Sequence, residues 1–177
     1  MEMLEGVVRH YDWGSTSEIP ALLGRSSDGR PWAELWFGAH PAAPSLVGHA
    51  ARPLDEVIRS DPEGALGPRV AEEFGDLPFL LKILSAGAPL SIQVHPNVAQ
   101  AVAGFEREDR AGIAIDAPNR SFRDRNHKPE LICALTPFEA LCGFRDPRQS
   151  LRLFDTIPTP RLDPIRDELG SGDPDNL

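Results

Sequence analysis

Residues 77–97 read LPFLLKILSAGAPLSIQVHPN. Two apolar runs flank a Gly/Pro break, which predicts strands over residues 77–85 and 90–95, the second ending at Pro96. The first is a buried strand interrupted by Lys82. A lysine in such a run either reaches water along its stem or binds an anion, because a buried charge without a partner is costly. In the second strand, side chains alternate between faces. Ser91, Gln93 and His95 therefore share a polar face, and Ile92 and Val94 share an apolar one. Either the polar face meets solvent or it meets a partner, a metal ion or a sugar. A buried polar group left unpaired costs about 1–3 kcal/mol.

Working outward, residues 127–130 (HKPE) place Lys128 and Glu130 on one face of an extended chain, and Pro129 favours extension before it. His, Glu and a Gln carbonyl make a plausible zinc donor set of nitrogen and oxygen, one ligand short of a four-coordinate protein site. Residues 130–135 and 139–144 read as a hairpin around Thr136-Pro137-Phe138. That register sets Cys133 opposite Cys142, pointing away from the face of Glu130. Both cysteines are expected to be reduced, buried packing residues.

Toward the N-terminus, residues 4–9 read as a strand. Residues 17–24 read as a short helix with Ser17 as cap and Pro20 in its first turn. Residues 26–30 are a turn, and residues 32–38 (WAELWFG) are an aromatic-rich strand. There Glu34 lies between Trp32 and Trp36 on one face, which suits either a sugar-stacking surface or a core. The following AHPAAPS has too much Pro for a central strand. Residues 53–75 read as two short helices broken at Pro62 and Gly67, and residues 97–108 as a longer one. Residues 111–127 are irregular, and residues 146–158 open another helix. From Pro158 onward Pro, Asp and Gly dominate, and residues 171–177 (SGDPDNL) read as a frayed end or an interrupted segment. His10, His40 and His49 have no organised context and read as structural or exposed. Short strands with Pro/Gly punctuation and a few helices suggest a mainly β sandwich or small barrel with helical decoration.

The chain has 177 residues, 41% hydrophobic and 25% charged, enough for one domain with a real core. Its net charge of −9 argues against a nucleic-acid partner, which needs a basic face. No apolar stretch is long enough to span a membrane, and the first residues lack the order of a secretory signal. A cytoplasmic location is expected. Of 18 basic residues only Lys82 and Lys128 are lysines, the ones that can give up a proton. Two cysteines make neither a disulfide framework nor a zinc knuckle.

Four blocks, in order, resemble the type I mannose-6-phosphate isomerases: YDWGS at 11–15, AELWFGAHPAAPS at 33–45, residues 77–97 and HKPELICALTPFEALCGFR at 127–145. The resemblance implies a cupin, or jelly-roll, half-barrel and an intramolecular oxidoreductase of mannose 6-phosphate and fructose 6-phosphate. It implies one Zn2+ held by Gln93, His95 and Glu130. It implies a substrate pocket lined by Trp13, Glu34, Lys82, Ser91 and Lys128, with Lys128 as a candidate acid–base group. Members of that family are longer and carry a further His ligand and an Arg that residues 146–177 do not match. The chain is therefore expected to be an incomplete cupin. Residues 1–145 would be the N-terminal part of the catalytic domain, and residues 146–177 the start of a helical insertion or a frayed tail. Its partners would be a sugar phosphate and the missing C-terminal half or a second copy. The alternative is a non-catalytic sugar- or metal-binding remnant that pairs with a partner chain.

Overall fold

A computed structural model describes residues 2–171. The chain forms two compact units, residues 1–95 and residues 96–177. The first unit opens with β1 (Leu4–Glu5) and β2 (Val7–Arg9), then α1 (Glu18–Leu22) and β3 (Glu34–Phe37). It continues with β4 (Leu46–Val47), β5 (Arg52–Pro53), α2 (Leu54–Ser60), α3 (Pro62–Leu66), α4 (Pro68–Phe74) and β6 (Leu81–Leu84). Two antiparallel sheets result, in the orders β1-β4-β5 and β2-β3-β6. The second unit contains α5 (Val98–Arg110), α6 (Pro147–Phe154), a 3-10 turn Pro160–Leu162 and α7 (Asp163–Ser171). Among the described residues no helix is long and apolar enough to cross a membrane.

The strand expected over residues 4–9 is divided at Gly6, and its halves join different sheets. A β-carbon at Gly6 would sit 2.8 Å from the Phe37 ring, so the aromatic of β3 packs where a side chain would be. The register of the second sheet pairs Val8 with Leu35 and Leu35 with Ile83. These three line the face that closes on Ile19 and Trp32, forming the core of the unit. Burying such a face is what holds short strands together, since a strand pair without a packed face is marginal in water.

The helical region at 53–75 contains three helices instead of two, because both breakers act. Asp61 caps α3, its side chain accepting from the Gly64 N–H at 3.0 Å, and Pro62 opens that helix. Gly67 and Pro68 then start α4. At α1, Ser17 occupies the cap position without capping through its side chain. Ser15 substitutes, its hydroxyl accepting from the N–H groups of Ser17 (3.2 Å) and Glu18 (3.4 Å).

In the second unit, Asn97 and Gln100 form a reciprocal capping box, and α5 runs two residues past the expected 97–108. The irregular residues that follow are clasped to α5 by a buried pair. Glu108 accepts from the backbone N–H groups of Phe122 (2.8 Å) and Ser121 (3.1 Å). Arg120 pairs with Asp109 at 2.8 Å and with Glu108 at 3.5 Å, lying over the Phe105 ring. The Phe122 N–H, followed by the Ser121 N–H and Arg120, outweighs desolvation and lowers the Glu108 pKa.

Several expectations fail, and the failures share a cause. Residues 90–95 form no strand, and the 130–144 hairpin is not made. β6 lies at the edge of its sheet, with Leu81 58% exposed rather than buried. Ile92 is 88% exposed, and Leu131, Leu141 and Phe144 exceed 90%. Strands form only against a neighbour, and within each unit these segments have none. Cys133 and Cys142 are accordingly free and exposed rather than buried beneath a hairpin. At the other end, α7 carries the helical structure through Ser171. Arg166 donates to the carbonyls of Phe154 and Ile157 at the end of α6. The segment expected to fray, residues 171–177, lies outside the described residues apart from Ser171.

Candidate functional site

The second sheet has two chemically distinct faces. Opposite the core face, the register aligns Arg9 with Glu34 and Trp36 with Lys82. Alternation along β3 keeps Glu34 and Trp36 together on this side. Glu34 is 7% exposed, unusual for a carboxylate, and both its oxygens have partners. The Trp36 indole N–H donates to Oε2 at 2.8 Å. Lys82 Nζ lies 3.8 Å from Oε1 and 5.1 Å from the centre of the Trp36 ring. Lys82 is thus held at the sheet edge by a carboxylate and an aromatic face. The His40 ring meets Trp36 edge-on at 5.1 Å, and Nδ1 of His40 accepts the Ala42 N–H at 3.1 Å. His40 therefore has an organised context that its sequence neighbours did not reveal.

The proposed grouping of Glu34 with two tryptophans on one face is half right. Trp32 lies before β3 in the core cluster, and its indole N–H donates to Asp28 at 3.0 Å. Asp28 also accepts from the backbone and guanidinium of Arg30. These bonds, the Arg30 backbone N–H foremost, bring the Asp28 pKa down to about 2.

Residues 11–15 are stitched beside residues 85–88. Gly14 bridges Ala86, the Ser15 N–H donates to the Ser85 carbonyl at 2.9 Å, and the Trp13 carbonyl accepts from Gly87 and Ala88. A β-carbon on Gly14 would lie 2.6 Å from the backbone of Ala33, so the motif requires glycine there for close approach. The Trp13 ring stacks on Tyr11, centroids 5.7 Å apart and planes at 22°. Tyr11 in turn accepts from Nε of Arg9 at 3.4 Å. Arg9, Tyr11 and His40 are site-face residues that sequence reasoning missed. Their signal was positional, and it became legible only once β2 was paired with β3.

The remaining candidates lie in irregular segments. Ser91, Gln93 and His95 are exposed and irregular in the first unit, without the ladder that would fix their common face. In the second unit Lys128 pairs with Asp124 at 3.4 Å, and Glu130 is exposed. Among the described residues no group of three or more His, Cys, Asp or Glu is assembled for a metal ion.

The family model described as phosphomannose isomerase type I, catalytic domain, matches residues 1–147. The mannose-6-phosphate isomerase of Escherichia coli K12 is 46% identical over 161 residues, covering 89% of this chain and 41% of the relative. The human mannose-6-phosphate isomerase is 36% identical over 168 residues, 88% of this chain and 37% of the relative. A crystal structure of the Salmonella typhimurium enzyme, bound to its substrate fructose 6-phosphate and to zinc, superposes with a TM-score of 0.66 at 44% identity. It covers 72% of this chain and 33% of that one. The chain thus spans about two-fifths of the length of the relatives it matches. The chain belongs to the type I phosphomannose isomerase family, matching its catalytic domain over residues 1–147.

Proposed function

We propose that this chain carries the N-terminal part of a zinc-dependent aldose–ketose isomerase that interconverts mannose 6-phosphate and fructose 6-phosphate in the cytoplasm. The observation that carries the reading is the buried Glu34 joined to Trp36 and Lys82 on a face opposite the core. A buried carboxylate holding a lysine beside an aromatic ring is a pre-organised place for a polar, anionic ligand. The family match and the substrate-bound Salmonella enzyme support sugar phosphate as that ligand.

Gln93, His95 and Glu130 fit zinc by the chemistry of their donors, an amide oxygen, an imidazole nitrogen and a carboxylate. We assign them as its ligands. When bound, zinc supplies a Lewis acid for a sugar oxygen. Around it, Trp13 packs against the sugar, and Lys82 and Ser91 hold the phosphate. Glu34 fixes Lys82 in place. Lys128 is the group assigned to carry a proton as C1 and C2 exchange oxidation level.

We assign residues 1–145 to the first part of a cupin catalytic domain and residues 146–177 to the beginning of a helical insertion or a tail. The half-barrel so formed is incomplete. The exposure of Ile92, Leu131, Leu141 and Phe144 supports cover by further chain, either a C-terminal half or a second copy.

The test is zinc-supplemented turnover of mannose 6-phosphate. It is measured on this chain alone and with the C-terminal portion of the E. coli relative added. The blank is a Gln93→Ala, His95→Ala double variant. Turnover lost in the blank is expected with the added portion. Turnover that persists in the blank, or that never exceeds it in either format, contradicts the proposal.

A further inference from the structure

We infer that Arg9 is a second phosphate-binding residue of this site, working with Lys82 across the Trp36 ring; the inference rests on the sugar-phosphate reading above. Arg9 is half-buried on the same sheet face as Glu34, Trp36 and Lys82, paired with Glu34 in the β2–β3 register. Its guanidinium carbon lies 5.1 Å from the centre of the Trp36 ring. Lys82 Nζ lies at the same distance from that centre. The two charges are therefore separated by at most twice that distance, a span that side-chain rotation can close on one phosphoryl group.

The two cations differ in one respect. Lys82 has a carboxylate partner in Glu34, whereas Arg9 has no ion pair among the described residues. Its contacts are the Tyr11 hydroxyl at 3.4 Å and the faces of Trp36 and Tyr11. Two cations against one carboxylate leave this face with an excess of positive charge, in a chain whose net charge is −9. Aromatic faces orient the guanidinium but do not neutralise it. A guanidinium so held keeps a planar fork of N–H donors matched to the oxygens of a phosphate. Arg9 also connects the two aromatic clusters, because Tyr11 stacks on Trp13. The phosphate end of the site would then extend from β6 across β3 to β2.

The experiment is calorimetric titration of the full chain with mannose 6-phosphate, inorganic phosphate and unphosphorylated mannose. Wild type is compared with Arg9→Gln, Arg9→Lys and Lys82→Gln, and with Arg25→Gln as a remote charge control. Arg9→Gln is expected to weaken both phosphate-bearing probes by about ten- to a hundredfold, the range of one charge-assisted contact. Mannose binding and the Arg25→Gln titrations should be unchanged. Arg9→Lys keeps the stem and charge but not the fork, so intermediate weakening is expected. It decides the matter if the Gln variant loses its fold.

Equal phosphate affinity in wild type and both Arg9 variants, with weakening in Lys82→Gln, overturns the role of Arg9 and leaves the sugar-phosphate reading standing. A wild-type chain that takes up neither phosphate-bearing probe, alone or with the C-terminal portion of the E. coli relative added, overturns both.

Discussion

Glu34 and Lys82 are unequal partners, and the inequality makes a prediction. Glu34 is buried, while the Lys82 side chain keeps 33% of its exposure. Lys82→Met leaves a desolvated carboxylate with only the Trp36 N–H, and should cost about 1–3 kcal/mol in urea unfolding. Glu34→Gln keeps an acceptor for Trp36 and returns Lys82 to water, so its stability cost should be smaller, with loss of mannose 6-phosphate affinity instead. The reverse order of stability losses would contradict the pairing described here. Asp28 supplies a pH test. Its folded pKa of about 2 lies below the ordinary 3.8, so its stabilising contribution is present above 3.8 and lost as pH falls toward 2. Replacing it by Asn should flatten the acid limb of stability over that window. An unaltered limb would show that the Arg30 and Trp32 bonds are not maintained in solution.

At the scale of elements, close approach governs what the site face can tolerate. Gly14→Ala drives a β-carbon into the Ala33 backbone at 2.6 Å and should destabilise by about 1–3 kcal/mol. It should also change the near-UV signal of the tryptophans, because Trp13 is anchored on the same stitch. An unperturbed spectrum would mean that residues 11–15 are not packed against β3. The elements legible in the sequence were those with local causes. The α5 helix was readable from Asn97 and its periodic run, and β3 from its aromatic alternation. Residues 90–95 and 130–144 have equally clear alternation, yet they form no ladder. Alternation specifies which residues share a face but not that a neighbouring strand exists, and pairing is non-local. The same limit concealed Arg9: its parity was readable, while its position opposite Glu34 was not.

Across the whole molecule, the apolar side chains left exposed are concentrated where strands were expected. Phe79 and Leu81 precede and enter the edge strand β6, and Ile92 and Val94 follow it. In the second unit Leu131, Leu141 and Phe144 are more than 90% exposed. On the reading proposed above, further chain covers these apolar side chains in each unit. The isolated chain should therefore bind a hydrophobic dye strongly at neutral pH, and covering chain should suppress the signal. Weak dye binding would indicate that these segments pair in solution without further chain.

On the proposed reading, the nitrogen and oxygen donors of these segments form the metal site, and the exposed thiols do not. Zinc titration of the chain decides between them. One zinc ion per chain, with affinity falling sharply in His95→Ala and Glu130→Ala and unchanged in a Cys133→Ser, Cys142→Ser double variant, is the predicted result. Zinc uptake that survives the first two substitutions and disappears with the cysteines would contradict it.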